Sequence, residues 1–290
     1  MDIWSFFSIT SKLMFYIGAL FASGTVFYSI FFETSKAKSS FPGRRITGLF
    51  AVAGLVAAAA GYAAAAASLT GEAASVFDGE MLGILWQTPV GTVLVLRVLG
   101  LLLILVGLFT GRPGKSITAI GCLIVLGAFT QIGHVTEVSN FFFRFFLLIH
   151  LVGIALWAGI LLPLYQLSSN PSMIAATGEI AHRFGRSAAI FVPTLLIAGG
   201  WFACQLVGSF QNLFATGYGQ TLLVKVATVA GLLGLAAANK LRFVPALRAG
   251  DASALKHFNQ SVRIEILLVV LVLSITAVLT SVLTLPEIHS

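Results

Sequence analysis

Charge is what this sequence lacks most. Only 9% of its 290 residues are Asp, Glu, Lys or Arg, against 58% hydrophobic residues and a mean hydropathy of +1.00. A soluble domain carries about 25% charged residues, so water is excluded as the solvent for most of this surface. The chain reads as an all-α polytopic membrane protein. Cysteine is nearly absent as well: Cys122 and Cys204 both lie in apolar runs with no CxxC spacing, which excludes a disulfide framework and a thiolate metal site. No phosphate-binding glycine loop, HExxH pair, placeable Ser/His/Asp set or CxxCH haem-attachment motif occurs. Apart from Arg97 and Lys225, ionisable residues within the apolar runs are rare. No carboxylate is found at a helix centre, where a proton-driven transporter would normally carry one. The formal net charge of +7 does not point to nucleic acid, because the basic residues sit in short links between apolar runs, where membrane topology accounts for them.

What is present is a series of apolar runs, each near the roughly 20 residues that a spanning helix needs. Eight can be placed, at about 13–32, 46–69, 89–109, 117–135, 143–167, 187–207, 219–239 and 264–284. The first is too long for a signal-peptide core and has its basic flank after it, so it is expected to remain as a helix. Lys36, Lys38, Arg44 and Arg45 follow run one, Arg112 and Lys115 follow run three, and Arg183 and Arg186 precede run six. Lys240, Arg242, Arg248, Lys256 and Arg263 lie between runs seven and eight. All of these fall on one side. The other side has Lys12 and Arg144 with the acids Glu72, Asp78, Glu80 and Glu137. By the bias of basic residues toward the cytoplasm, both termini are expected outside.

The chain also repeats. Ala19-Leu20-Phe21-Ala22-Ser23 in run one matches Ala155-Leu156-Trp157-Ala158-Gly159 in run five. Thr88-Pro89-Val90-Gly91 with Arg97 matches Thr216-Gly217-Tyr218-Gly219 with Lys225. Two parallel four-helix units are expected, 1–140 and 141–290, within one membrane domain. Alanine- and glycine-rich runs, the second above all, suit close helix packing.

Candidate chemistry centres on residues 131–165, which carry His134, His150 and Trp157. Trp157 lies seven residues beyond His150, close to two helical turns, and is expected on the same face. His150 lies six residues inside Arg144, so an imidazole there should face the bundle interior. His134 precedes it across a short link, and two antiparallel neighbours can bring both rings to one ion. Neutral imidazole and thioether suit copper, and Met14 is the repeat partner of His150. The pair could equally ligate haem, with Arg97 or Lys225 neutralising its acid groups, or could simply bond neighbouring helices. Arg97 and Lys225 could hold an anion or snorkel to headgroups, and Trp157 could line a cofactor or pack the core. His182 and His257 are expected in solvated basic loops, and His289 at a frayed end.

With these residues in place, the chain resembles the copper resistance D (CopD) family of bacterial inner-membrane proteins. The carrying pieces are Gly133-His134, His150-Leu151 through Trp157-Ala158-Gly159, and His182-Arg183-Phe184-Gly185-Arg186-Ser187. Tyr218-Gly219 with Lys225, Asn239-Lys240-Leu241-Arg242 with Val244-Pro245-Ala246-Leu247, and Ile275 to Ser281 complete the pattern. The match is clearest over 130–283, the first half following only as helix pattern. The resemblance implies copper handling, commonly uptake across the cytoplasmic membrane with a periplasmic CopC-type partner. It maps family histidines onto His134 and His150. Outward methionines are few, Met14 and Met81.

Overall fold

The computed structural model describes residues 3–131 and 141–284. Among them every regular element is helical. The eight principal helices are α1 (Ile3–Phe31), α2 (Gly43–Thr70), α3 (Pro89–Phe109), α4 (Gly114–Gly127), α5 (Phe141–Ser168), α6 (Ile174–Val207), α7 (Gly217–Ala238) and α8 (Ala252–Leu279). Seven of them are long and apolar enough to cross a membrane. The exception is α4, which closes in a tight 3-10 turn at Ala128–Thr130. The fourth run, 117–135, is described only as far as Gln131, and His134 lies outside the described residues.

Local chemistry sets the helix starts. Thr88 accepts from Val90 N ahead of Pro89 at the first turn of α3, and Thr216 accepts from Gly219 N at the start of α7. Asp251 accepts from Ser253 N to open α8. Each side-chain oxygen satisfies a backbone donor that the helix cannot.

Packing is organised around α1, which is buried along most of its length from Phe15 to Tyr28 and touches α2, α4, α5 and α8. Glycines permit this. A Cβ on Gly18 would lie 2.6 Å from Gly54 Cα of α2, and one on Gly159 of α5 would run into the backbone of Gly24. Backbones this close gain dispersion contacts that larger side chains would prevent. The second of these crossings joins α1 and α5, the two helices whose sequences match. A buried hydroxyl pair, Thr25 with Thr47 at 2.8 Å, fastens α1 to α2.

Two boundaries depart from expectation. α6 begins at Ile174 rather than near 187, so His182, Arg183 and Arg186 are on a helix and not in a loop. Its 34 residues span about 51 Å at 1.5 Å per residue, well beyond a hydrocarbon layer of about 30 Å. The excess carries the polar residues past the apolar zone. α8 likewise begins at Ala252 rather than near 264. That puts His257 on its second turn, with Nδ1 3.0 Å from the Ser253 carbonyl oxygen. α7 continues through a π turn, Asn239–Phe243, into a short helix, Val244–Arg248. Hydropathy runs measure the apolar zone, and these helices outlast it.

Hydrogen bonds tie the two ends of the bundle. At the basic end Arg183 Nη2 donates to the Phe31 carbonyl (2.8 Å) and Gln166 Nε2 to that of Ser40 (3.0 Å). At the opposite end Lys12 Nζ donates to the Thr280 carbonyl (2.5 Å), and the Tyr16 hydroxyl lies 3.0 Å from Thr280 Oγ1. Cys122 is buried and Cys204 is exposed, both as free thiols.

Candidate functional site

His150 sits near the start of α5, half buried, at the end of the bundle opposite the basic loops. Its ring packs edge-on against Phe202 of α6, with centroids 5.8 Å apart and an interplanar angle of 85°. Gly199, one turn earlier on α6, adjoins it: a Cβ there would stand in ordinary contact, 3.5 Å from His150 Cε1. Phe202 in turn packs against Phe143 and Trp201. The imidazole therefore closes one side of an aromatic cluster. Its ring also meets the Leu195 backbone of α6. Its Nδ1 is enclosed and has no hydrogen-bond partner among the described residues. Lys225 of α7 is within electrostatic reach. Among the described residues no three His, Cys, Asp or Glu side chains converge as a metal cage would require.

The other expected site residues are dispersed. Met14 on α1 is 46% exposed, beside the buried Phe15. The Arg97 guanidinium lies over the Phe15 ring, 4.2 Å from its centroid, near Lys12 and Tyr16. Arg97 thus keeps company with α1 and Lys225 with His150, although the two occupy matching places in the sequence. Trp157 is on the helix of His150 but contacts different partners. It is 8% exposed, and its Nε1 donates to Glu265 Oε2 at 3.3 Å.

Glu265 corrects the expectation that no carboxylate lies at a helix centre. It is midway along α8, 4% exposed, and accepts from both Trp157 and Asn239 Nδ2. A buried carboxylate is costly unless hydrogen-bonded, and each of its oxygens here has one neutral N–H donor. Asn239 is the first residue of the π turn, an irregularity found often at functional positions. Beside the three side chains is a cavity of about 300 Å³ bounded by α5, α6, α7 and α8, in which Lys240 and Glu265 are the charged lining residues. The sequence signal was the acid itself, placed four residues after Ser261 on one helical face.

Comparison with known proteins bears on what this bundle does. The family model described as "Copper resistance protein D-like, N-terminal domain" matches residues 2–139, and that described as "Copper resistance protein D" matches residues 178–279. Neither description names haem. No curated protein and no solved structure matches the chain. The first half, which the sequence tied to the family only by helix pattern, is matched by a family domain of its own. Together the two matches span most of the chain, with His150 and Trp157 in the stretch between them, and the chain belongs to the copper resistance protein D family.

Proposed function

We propose that this protein binds copper at a site built on His150 and passes it into or across the bacterial cytoplasmic membrane. Copper is the cargo here and not a resident cofactor. The observation that carries the reading is His150 Nδ1, enclosed within the bundle of a copper resistance family member and without a hydrogen-bond partner among the described residues. A neutral imidazole nitrogen is a good copper ligand, and an unpaired one in such surroundings is costly unless something binds it. His134, which lies outside the described residues, is the intended second ligand, joined to α5 by a short link.

The basic loops at the far end of the bundle support an orientation with the His150 end, and both termini, facing the periplasm. Copper would then arrive from outside, delivered by a periplasmic copper-binding protein of the CopC type. The sequence match of α1 with α5 supports two parallel four-helix repeats, 1–140 and 141–290. Met14 takes part in this reading only as an outward thioether on the pseudo-symmetric helix.

The test is copper stoichiometry on purified protein together with copper accumulation in cells. His150→Ala is expected to lose most bound copper and to lower accumulation, His134→Ala to weaken both, and Trp4→Phe to leave both unchanged. Equal binding and accumulation in wild type and His150→Ala would remove the proposal.

A further inference from the structure

At the basic half of the bundle, remote from His150 in the chain of contacts, three elements place Trp157, Asn239 and Glu265 in one hydrogen-bonded group. We propose that Glu265 is a proton-binding site, with Asn239 as its switching partner and the cavity between α5, α6, α7 and α8 as its path to water. The inference goes beyond the copper reading and does not rest on it.

The donor set selects the ligand. Both carboxylate oxygens already accept an N–H, from Trp157 and from Asn239, so a metal ion would have to displace two donors and then meet their hydrogens. No histidine, thiol or thioether stands among the residues that line the cavity, which leaves nothing suited to copper. A proton needs only a lone pair on one oxygen and an acceptor for the new O–H. The acceptor is in place. Asn239 Oδ1 is enclosed and has no partner among the described residues, and Asn239 itself is 7% exposed. Rotation of its amide by half a turn exchanges the donor NH2 for that acceptor oxygen, because the two ends of an amide occupy nearly the same space.

Two states follow in which both oxygens of the Glu265 carboxyl are paired. In one, ionised Glu265 accepts from Asn239 and Trp157. In the other, a proton taken from water in the cavity forms a carboxylic O–H that donates to Asn239 Oδ1, while the second oxygen still accepts from Trp157. The proton is the only atom gained, and it leaves by the same route. Ser261 Oγ, one turn before Glu265 and also enclosed without a partner among the described residues, is a further acceptor on the same face. The charged groups around Glu265 are few. Lys240 lines the cavity from the π turn after α7, while the α5 and α6 lining residues carry no charge and α8 contributes only Glu265 itself.

The test uses purified full-length protein in lipid nanodiscs without copper. Infrared difference spectra recorded on a pH jump should contain a carboxylic C=O band that shifts in heavy water and disappears in Glu265→Gln. Tryptophan emission should titrate with pH in wild type, the step being lost in both Trp157→Phe and Glu265→Gln. A band that persists in Glu265→Gln, or wild-type emission that is flat with pH, would overturn the proposal. Glu265→Gln preserves shape and stands in for the protonated acid, with an oxygen to accept from Trp157 and an NH2 to donate to Asn239 Oδ1, and its folding is checked by circular dichroism and size exclusion. Loss of copper binding in His150→Ala with an intact Glu265 titration would separate failure of one reading from failure of the other.

Discussion

At the residue scale, the ring of His150 packs against an aromatic cluster within electrostatic reach of a cation. Phe143, Trp201 and Phe202 exclude water from one side, which strengthens every charge interaction nearby. Lys225 of α7 lies within electrostatic reach of the ring, so its positive charge opposes any metal ion bound there. The sign is clear: removing the ammonium should tighten copper binding. Lys225→Met is expected to raise copper affinity about tenfold, equivalent to about 1.4 kcal/mol, as measured by competition with a chelator of known affinity. Unchanged or weaker binding would show that Lys225 does not face the occupied site. The sequence made His150 and Lys225 visible separately, since each is an ionisable residue in an apolar run. Their proximity was not visible, because it depends on how α5 and α7 are rotated about their axes. Glu265 was missed for a related reason. Hydropathy placed it at the very edge of a run beginning near 264, where an acid looks like a helix end, whereas α8 starts well before it at Ala252 and makes it a centre.

At the element scale, the bundle rests on glycines that hold backbones together. Seven of the eight apolar runs are long spanning helices, and the small-residue content pointed to close packing. Which glycines carry the crossings could not be read from composition, because glycine recurs at 29 positions and only contact distinguishes them. Gly159 meets Gly24 of α1 backbone to backbone, with no flexible side chain able to yield. Gly231 on α7 has nothing within 4 Å of where a Cβ would stand. Adding side chains to the two should have opposite consequences. Gly159→Val is expected to destabilise the protein by about 1–3 kcal/mol or more through overpacking, read as a lower melting temperature in detergent and loss of monodisperse material on size exclusion. Gly231→Ala is expected to be neutral or to stabilise by up to about 1 kcal/mol through helix propensity. Equal melting temperatures for the two variants would mean that α1 and α5 do not cross at Gly24 and Gly159.

At the scale of the whole molecule, the two polar groups lie at different heights of one bundle. His150 is near the start of α5, and Glu265 meets the same helix through Trp157 about two turns further along. A rotation or tilt of α5 therefore changes the surroundings of both the imidazole and the carboxylate, since Phe202 on α6 and Glu265 on α8 grip it at different heights. Linkage then works in both directions: if copper at His150 favours one setting of α5, proton occupancy at Glu265 must shift with it by the same coupling free energy. A copper carrier in which the other setting of α5 opened Glu265 to the opposite side would move a proton in each cycle and would draw on the proton gradient. Collapsing that gradient with a protonophore is expected to lower copper accumulation in cells carrying the wild-type protein. In cells carrying Glu265→Gln, accumulation should be lower at the outset and insensitive to the protonophore, while the purified variant still binds copper. Accumulation that responds to the protonophore equally in both strains would disconnect Glu265 from copper movement and leave it as a proton site serving the fold alone.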